Sequence, residues 1–226
     1  NDYVPIEVHW SEVPGRDEKW KEETIRNTSE GQFQTEFECE FLGSVDTLIT
    51  ASKIKTMAVQ EPKRSGGLDV YDMPEKDHIY TMCVDVSRGL SNDYSAFVVF
   101  DCTKAPYKVV AKYRDNEIKP LLFPSIIERV AKHYNSAFVL IEINDLGQQV
   151  ADALQFEIEY DNVMMCTQRG RSGQVLGGGF SGRGNQLGLR MTKGTKRIGT
   201  SNLKSLIEGD KLIITDFDII AELSTF

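Results

Sequence analysis

The sequence predicts a mixed α/β fold in which three antiparallel strands precede a helix and a parallel central strand. Closely spaced β-prone runs occupy residues 79–113, and an almost wholly apolar run at residues 137–143 lies between two helical patterns. The 226 residues, 40% of them hydrophobic, have the length and composition of one soluble globular domain with an appendage. No apolar run approaches the roughly 20 residues that a membrane-spanning helix needs.

The predicted domain begins at about residue 76, and its elements follow one another closely. Strands are predicted at 79–86, 95–101, 107–113, 137–143, 162–166 and 211–215. Helices are predicted from Pro120 or Pro124 to Tyr134, at 147–155, at 201–208 and from Phe217 onward. This order of elements is that of the ribonuclease H-like fold, although a fold alone does not give a function.

Residues 1–75 have a different character and are predicted to be a linker segment. Charged helical stretches are expected at 16–26 and 50–59, and residues 60–75 read as a loop because Pro, Gly and Ser are frequent there. Phe33, Phe37 and Phe41 recur every four residues, so this stretch is expected to pack one aromatic face of a short helix.

Two carboxylates interrupt apolar strands and are the main candidates for a functional site. Asp85 ends the first predicted strand, and Glu142 lies inside the central one. A buried carboxylate is costly unless a positive charge compensates it. If the two strands are neighbours, both side chains could bind Mg²⁺ or Mn²⁺ through oxygen, as metal-dependent phosphodiester hydrolysis requires. Structural roles remain open: Asp85 could cap the following turn, and Glu142 could pair with Arg88.

The other acidic candidates are weaker. Asp93 lies in a Ser-Asn-Asp turn close enough in sequence to help position a metal or a water. Asn144 or Asp145 suits the N-cap of the helix at 147–155, which is the favoured interpretation. Asp216 and Asp218 could be further ligands, but a strand end followed by a helix cap explains them equally well, and the cap is favoured.

Positive charge is concentrated in one stretch of an otherwise acidic chain. The formal net charge is −8, yet no acidic residue lies between Asp161 and Glu208. Ten glycines fall within 170–199, and the basic residues of the stretch 168–199 are Arg169, Arg171, Arg183, Arg190, Lys193, Lys196 and Arg197. We expect residues 168–199 to form an irregular arm that contacts DNA phosphates without reading bases, the alternative being a surface loop with incidental charge.

Other chemistries are not favoured by the sequence. The glycine clusters at 177–179 and 182–184 lack the Lys-Ser/Thr ending of a nucleotide-binding loop. The four cysteines are scattered without paired spacing, and the three histidines are far apart, so neither a zinc site nor a disulfide framework is indicated. Free thiols suit a reducing cytoplasm.

Three motifs resemble the nuclease domain of the large terminase of T-even-type tailed bacteriophages. They are Met-Cys-Val-Asp85-Val-Ser-Arg-Gly-Leu-Ser-Asn-Asp93-Tyr-Ser-Ala, Val-Leu-Ile-Glu142-Ile-Asn-Asp-Leu-Gly and Leu-Ile-Ile-Thr-Asp-Phe-Asp-Ile-Ile-Ala-Glu-Leu-Ser-Thr-Phe226. The stretch at 33–44 is similar to the piece that joins the packaging ATPase to the nuclease. The resemblance covers nearly the whole chain and is most specific over residues 78–226.

The resemblance implies an endonuclease that cuts concatemeric double-stranded viral DNA with two Mg²⁺ or Mn²⁺ ions. Asp85 and Glu142 match the first two of the family's three acidic ligands, and the third is expected beyond Phe226. The implied partners are an N-terminal ATPase domain, the procapsid portal and a small terminase subunit. The implied location is the host cytoplasm, transiently at the portal vertex and not in the mature virion. Two other functions remain open: a non-catalytic DNA-binding or docking module of the motor, and a resolvase-like nuclease.

Overall fold

A computed structural model of the chain describes residues 10–27, 33, 37, 47–65, 67–91, 93–168, 174–175 and 185–225. The chain divides into a small unit, Asn1–Met57 with Asp218–Phe226, and a sheet unit, Ala58–Phe217. Within the described residues, no helix combines the length and the apolar character needed to cross a membrane.

The small unit is held together by aromatic side chains. It contains a 3₁₀ turn at Trp10–Glu12, helix α1 at Glu18–Asn27 and helix α2 at Ala51–Thr56. Trp20 meets Phe37 edge-on with ring centroids 5.2 Å apart, and Phe33 lies 5.3 Å from Phe37. These contacts agree with the predicted four-residue aromatic repeat, whose third member, Phe41, lies outside the described residues.

The sheet unit follows the predicted alternation of strands and helices. Its strands are β1 Lys63–Ser65, β2 Leu68–Val70, β3 Tyr80–Asp85, β4 Ser95–Asp101, β5 Tyr107–Asp115, β6 Phe138–Ile141, β7 Met165–Gln168, β8 Gln174–Val175, β9 Asn185–Leu187 and β10 Leu212–Ile213. Its helices are α3 Phe123–His133, α4 Gly147–Asp152, which continues into a π-helical turn at Ala153–Glu157, and α5 Lys193–Glu208. Helix α6, Phe217–Leu223, follows β10.

The main sheet is mixed, as the sequence predicts. Its strand order is β1-β2-β5-β4-β3-β6. Strand β10 also pairs with β5, in parallel, at the end of β5 opposite to the part that pairs with β2. Strands β3, β4 and β5 form an antiparallel meander, whereas β6 runs parallel to β3. A parallel neighbour needs a crossover connection, and helix α3 supplies it. Strands β8, β7 and β9 form a second, small sheet.

One face of the main sheet carries the hydrophobic core. Alternation along β3 buries Tyr80, Met82 and Val84, which share the core with Ile127 of α3 and Val150 of α4. Helix α3 is strongly amphipathic, and it covers this face with Ile127, Val130 and Ala131. The opposite face therefore receives Thr81, Cys83 and Asp85.

Three elements differ from the prediction. The stretch 60–75, predicted as a loop, contains β1 and β2, which add to the sheet through β5 before the predicted boundary at residue 76. The predicted strand at 162–166 contributes only a single parallel bridge, Val163 with Val139, to the main sheet, and β7 then leaves for the small sheet. Helix α5 begins at Lys193 rather than at 201, because Thr192 and Thr195 form a reciprocal capping box.

Candidate metal centre

Asp85 and Glu142 are brought together at one edge of the main sheet. Val84 is paired with Ile141 in parallel register, and the Glu142 N–H donates to the Val84 carbonyl oxygen at 2.9 Å. Asp85 and Glu142 are the next residues on the two strands, and alternation places both side chains on the face opposite the core. The sequence-based expectation that the strands carrying these two acids would be neighbours is therefore met.

The electrostatic surroundings of Glu142 include the Asp85 carboxylate. Partial burial and then the nearby Asp85 carboxylate raise the pKa of Glu142, whereas the Lys196 ammonium acts in the opposite direction. A cation held between the two acids would offset both the desolvation and the repulsion. The donor set of two carboxylates therefore suits a hard divalent cation such as Mg²⁺ or Mn²⁺.

A cavity of about 280 Å³ opens beside the acids on the same face of the sheet. Its walls are mainly apolar, with Cys83, Val98 and Leu140 from the main sheet and Leu189 and Met191 from the segment that follows β9. Asp85 and Glu142 also line it, so this face combines an apolar groove with a pair of acids. Apolar walls limit the access of water and strengthen electrostatic interactions at the carboxylates.

The segment that follows β9 lies directly against the end of β6. The Leu189 N–H donates to the Ile141 carbonyl oxygen at 2.8 Å, and the Ile143 N–H donates to the Leu189 carbonyl oxygen at 3.0 Å. Gly188 has a φ of +69°, and a Cβ there would lie 2.4 Å from the Ile141 carbonyl oxygen. A side chain at this position would force the segment away from the carboxylates.

Gly147 brings helix α4 equally close to the candidate site. A Cβ at this position would lie 1.8 Å from the carbonyl oxygen of Glu142, which no backbone contact permits. The helix therefore begins against the peptide that carries one of the two acids. Its first turn has no side-chain cap: the N-cap residue is Leu146, so the predicted capping role of Asn144 or Asp145 is wrong.

Asp145 and Asn144 have other partners. The Arg88 guanidinium donates to both carboxylate oxygens of Asp145, at 2.9 and 3.2 Å, which joins the loops that follow β3 and β6. Arg88 was an alternative partner for Glu142 in the sequence, and the structure pairs it with Asp145 instead. Asn144 exchanges two hydrogen bonds with the backbone of Met191.

The turn after β3 is stabilised by serines. The Ser87 N–H donates to the Ser95 hydroxyl at 3.0 Å, and the Gly89 N–H donates to the Ser87 hydroxyl at 3.3 Å. Serine hydroxyls thus accept hydrogen bonds from two backbone N–H groups of the turn that Asp85 precedes.

The remaining acidic candidates do not join the pair. Among the described residues, no group of three or more His, Cys, Asp or Glu side chains could hold a metal ion, so exposed Asp93 forms no such group with Asp85 and Glu142. Asp216 is fully buried, where it pairs with Lys112 at 2.6 Å and accepts a hydrogen bond from the Tyr71 hydroxyl.

The basic residues fall into two groups. Arg190, Lys193, Lys196 and Arg197 are exposed around the first turns of α5, which makes the N-terminal part of this helix a basic surface. Lys193, Lys196 and Arg197 therefore lie on a helix and not in the predicted irregular arm. Arg169, Arg171 and Arg183 lie outside the described residues.

Sequence reasoning missed how close the basic helix comes to the acids. Lys196 was predicted to contact DNA, but its proximity to Glu142 was not predicted. The Thr192-x-x-Thr195 pattern ahead of the helix was the signal that could have placed Lys196 on the second turn of a helix. No comparable signal marks the tertiary contact between Asn144 and Met191.

Known proteins share this architecture. The sequence model of the family described as terminase RNaseH-like domain matches residues 82–224, a range that includes both acids and α5. The crystal structure of the large terminase nuclease from thermophilic phage G20c with bound cobalt is similar, with a TM-score of 0.60, 19% identity and 81% of each chain covered.

Two further solved structures give the same result. The magnesium-bound G20c nuclease has a TM-score of 0.60, 18% identity and 80% coverage of each chain. The Thermus phage P74-26 large terminase nuclease domain has a TM-score of 0.54 and 20% identity, and the match covers 76% of this chain and 75% of that chain. At these identities the likeness shows the fold alone, and together with the family match it confirms the predicted ribonuclease H-like architecture.

Proposed function

Because the chain belongs to the terminase RNase H-like domain family, we propose that it is the endonuclease domain of a viral DNA-packaging terminase. Its substrate is concatemeric double-stranded DNA, and its reaction is divalent-metal-dependent hydrolysis of phosphodiester bonds. The observation that carries this proposal is the placement of Asp85 and Glu142 at adjacent ends of two parallel strands, on the face that the core leaves free.

Asp85 and Glu142 are the residues that hold the metal. Mg²⁺ or Mn²⁺, proposed as two ions, supplies activation of a water and stabilisation of the leaving oxygen when bound. The protein holds both carboxylates on rigid strands beside a mainly apolar cavity, so little reorganisation is needed for cation binding. Asp93 is a weaker ligand candidate, and the resemblance to the family places the third acid beyond Phe226.

The basic surface around the start of α5 positions the DNA. Arg190, Lys193, Lys196 and Arg197 contact the phosphate backbone, and Arg169, Arg171 and Arg183 extend the same role along the chain. Phosphate contacts position a duplex without reading its sequence, and they make binding strongly salt-dependent. The proximity of Lys196 to Glu142 supports a DNA path that passes over the acids.

The biological setting follows from the same proposal. Residues 1–75 connect the nuclease to an N-terminal packaging ATPase, and the assembled motor docks on the procapsid portal and works with a small terminase subunit. It acts in the host cytoplasm, transiently at the portal vertex, and is absent from the mature virion. The finer assignment to the T-even-type terminases rests on the motifs around Asp85 and Glu142.

The test compares Glu142→Gln and Asp85→Asn with Asp145→Asn. The first two variants should lose most Mn²⁺ binding in calorimetry, since each removes one of the two charged ligands. Their rate of plasmid cleavage should fall by at least about 100-fold. The matched control, Asp145→Asn, removes an exposed acid at the same edge, and its pair with Arg88 lies in solvent, where ion pairs contribute little to stability.

Metal binding should also be visible as stability. Mn²⁺ at 100 times its dissociation constant should stabilise the parent protein by about 2.7 kcal/mol and leave Glu142→Gln unchanged. Unaltered cleavage by Asp85→Asn or Glu142→Gln would overturn the site. DNA binding without cleavage by the parent protein would instead support the non-catalytic docking module, and cleavage of branched DNA alone would support a resolvase.

A further inference from the structure

We propose that Asn144 is a positioning residue that fastens the start of the basic helix α5 to the strand that carries Glu142. The proposal deepens the proposed function and rests on it, because it concerns how the DNA-contacting cations are set against the candidate metal ligands. The ligand class is the phosphodiester backbone of duplex DNA. Asn144 touches neither the metal nor the DNA, and it acts through the segment between β9 and α5.

The geometry of Asn144 is that of a two-point clamp. Its side-chain oxygen accepts a hydrogen bond from the Met191 N–H at 3.0 Å, and its side-chain amide donates to the Met191 carbonyl oxygen at 3.0 Å. A single side chain, 47 positions away in sequence, therefore binds both the backbone N–H and the backbone carbonyl oxygen of Met191. The carboxamide of Asn or Gln offers a neutral N–H donor and a carbonyl acceptor side by side, and Gln adds one methylene of length.

The clamp acts on a segment with functional groups at both ends. Leu189 and Met191 line the cavity beside the acids, and Thr192 is the N-cap of α5. The Lys196 N–H donates to the Thr192 carbonyl oxygen at 2.8 Å, so the position of Lys196 follows from that of the cap. Holding Met191 therefore fixes both the cavity wall and the cation beside Glu142.

Other contacts of the segment show why the clamp matters at Met191. The backbone bridge between Leu189 and β6 aligns the chain only as far as residue 189. Beyond it the chain must turn into α5, and the capping box of Thr192 and Thr195 orders the helix without attaching it to the sheet. Asn144 is the side chain that joins these two regions.

The test uses Asn144→Ala, Asn144→Asp and the control Asn162→Ala. The Asn162 side-chain amide donates to the Ser136 carbonyl oxygen at 2.6 Å, near the opposite end of β6, so this control also removes a side-chain hydrogen bond to the backbone. Amide hydrogen exchange is measured first, since it needs neither metal nor DNA. Asn144→Ala should speed exchange at Met191 and in the first turn of α5, whereas Asn162→Ala should leave both unchanged.

The second readout is DNA affinity in EDTA, measured with a duplex over a series of salt concentrations. Asn144→Ala should weaken binding by about tenfold and lower the salt slope by about one, since misplaced cations neutralise fewer phosphates. Calorimetric Mn²⁺ affinity should change by less than about twofold, which separates positioning from metal ligation. Asn144→Asp keeps the acceptor for the Met191 N–H, so exchange at Met191 should rise less than in Asn144→Ala.

The outcomes separate the clamp from the proposed function. Unchanged exchange at Met191 in Asn144→Ala overturns the clamp. If Asn144→Ala speeds exchange at Met191 but has the same DNA affinity and salt slope as Asn162→Ala, the role of Asn144 in positioning the cations is overturned. If the parent protein binds no DNA, the proposed function and this positioning role both fail, while the exchange comparison still shows whether Asn144 holds the segment.

Discussion

The buried pair of Asp216 and Lys112 provides a sharp test of what stabilises the sheet unit. Asp216 is fully buried, and its carboxylate lies 2.6 Å from the Lys112 Nζ and accepts a hydrogen bond from the Tyr71 hydroxyl. In Asp216→Ala, the Lys112 ammonium would lose this carboxylate and would keep Asp69, at 3.6 Å. Removing one partner of a buried pair costs about 3–5 kcal/mol, because an uncompensated charge stays buried.

The assay is urea denaturation and thermal unfolding followed by far-ultraviolet circular dichroism. At about 2–4 °C per kcal/mol for a protein of this size, Asp216→Ala should lower the Tm by roughly 6–20 °C. The matched control is Asp218→Ala, since Asp218 lies two positions away and is exposed. A substitution on the surface should change stability by no more than about 0.5 kcal/mol.

A double variant separates the charge from the cavity that the substitution leaves. Lys112→Met with Asp216→Asn removes both charges and keeps a polar partner for the Tyr71 hydroxyl, so it should lose clearly less stability than Asp216→Ala. If Asp216→Ala were as stable as Asp218→Ala, the reasoning would be refuted, because the pair would then contribute nothing. A double variant worse than the single one would show that packing, and not charge, dominates.

Two further predictions concern close contacts at either end of the sheet. Gly147→Ala should be strongly destabilising and should impair Mn²⁺ binding, because its Cβ would meet the Glu142 carbonyl oxygen. Gly199→Ala in α5, where the space is open, should stabilise by up to about 1 kcal/mol in the same denaturation assay. Equal changes in stability from the two substitutions would contradict this reasoning. Burial alone would raise the pKa of Asp101, but hydrogen bonds from the Thr103 hydroxyl and N–H, with the nearby imidazole of His78, outweigh it and lower the pKa below 3.8. The resulting stability is complete above pH 3.8 and is lost as the pH falls through the lower folded value. Thr103→Val should therefore cost about 1 kcal/mol at pH 7 and less at pH 3, and a cost independent of pH would argue against this cause.

The sequence predicted the parts of the fold that a strong local pattern marks. Residues 95–101 form β4 with the predicted bounds, because a short apolar run there has turn residues at both ends. The hairpin of β1 and β2 was missed, since Lys63, Arg64 and Ser65 carry no apolar alternation. Strand β2 pairs with the edge of β5, and β1 pairs in turn with β2. Such tertiary pairing overrides local propensity.

The candidate site was predictable in outline and not in detail. Asp85 and Glu142 stood out because each interrupts an apolar run, and strand order then placed them together. The position of Lys196 was not predictable in the same way, because glycines at 194 and 199 make the sequence of the first half of α5 typical of a loop. Asn144 resembled a helix cap, and only the folded chain brings Met191 to it.

The aromatic cluster of the small unit determines which optical signals can report on the candidate site. The chain has two tryptophans, Trp10 and Trp20, and their rings contact each other in that cluster, with centroids 6.1 Å apart. The sheet unit, Ala58–Phe217, contains tyrosines and no tryptophan. Intrinsic tryptophan emission will therefore report on the surroundings of the two rings in the small unit. A tryptophan introduced near the cavity would give that sheet a fluorescence signal of its own.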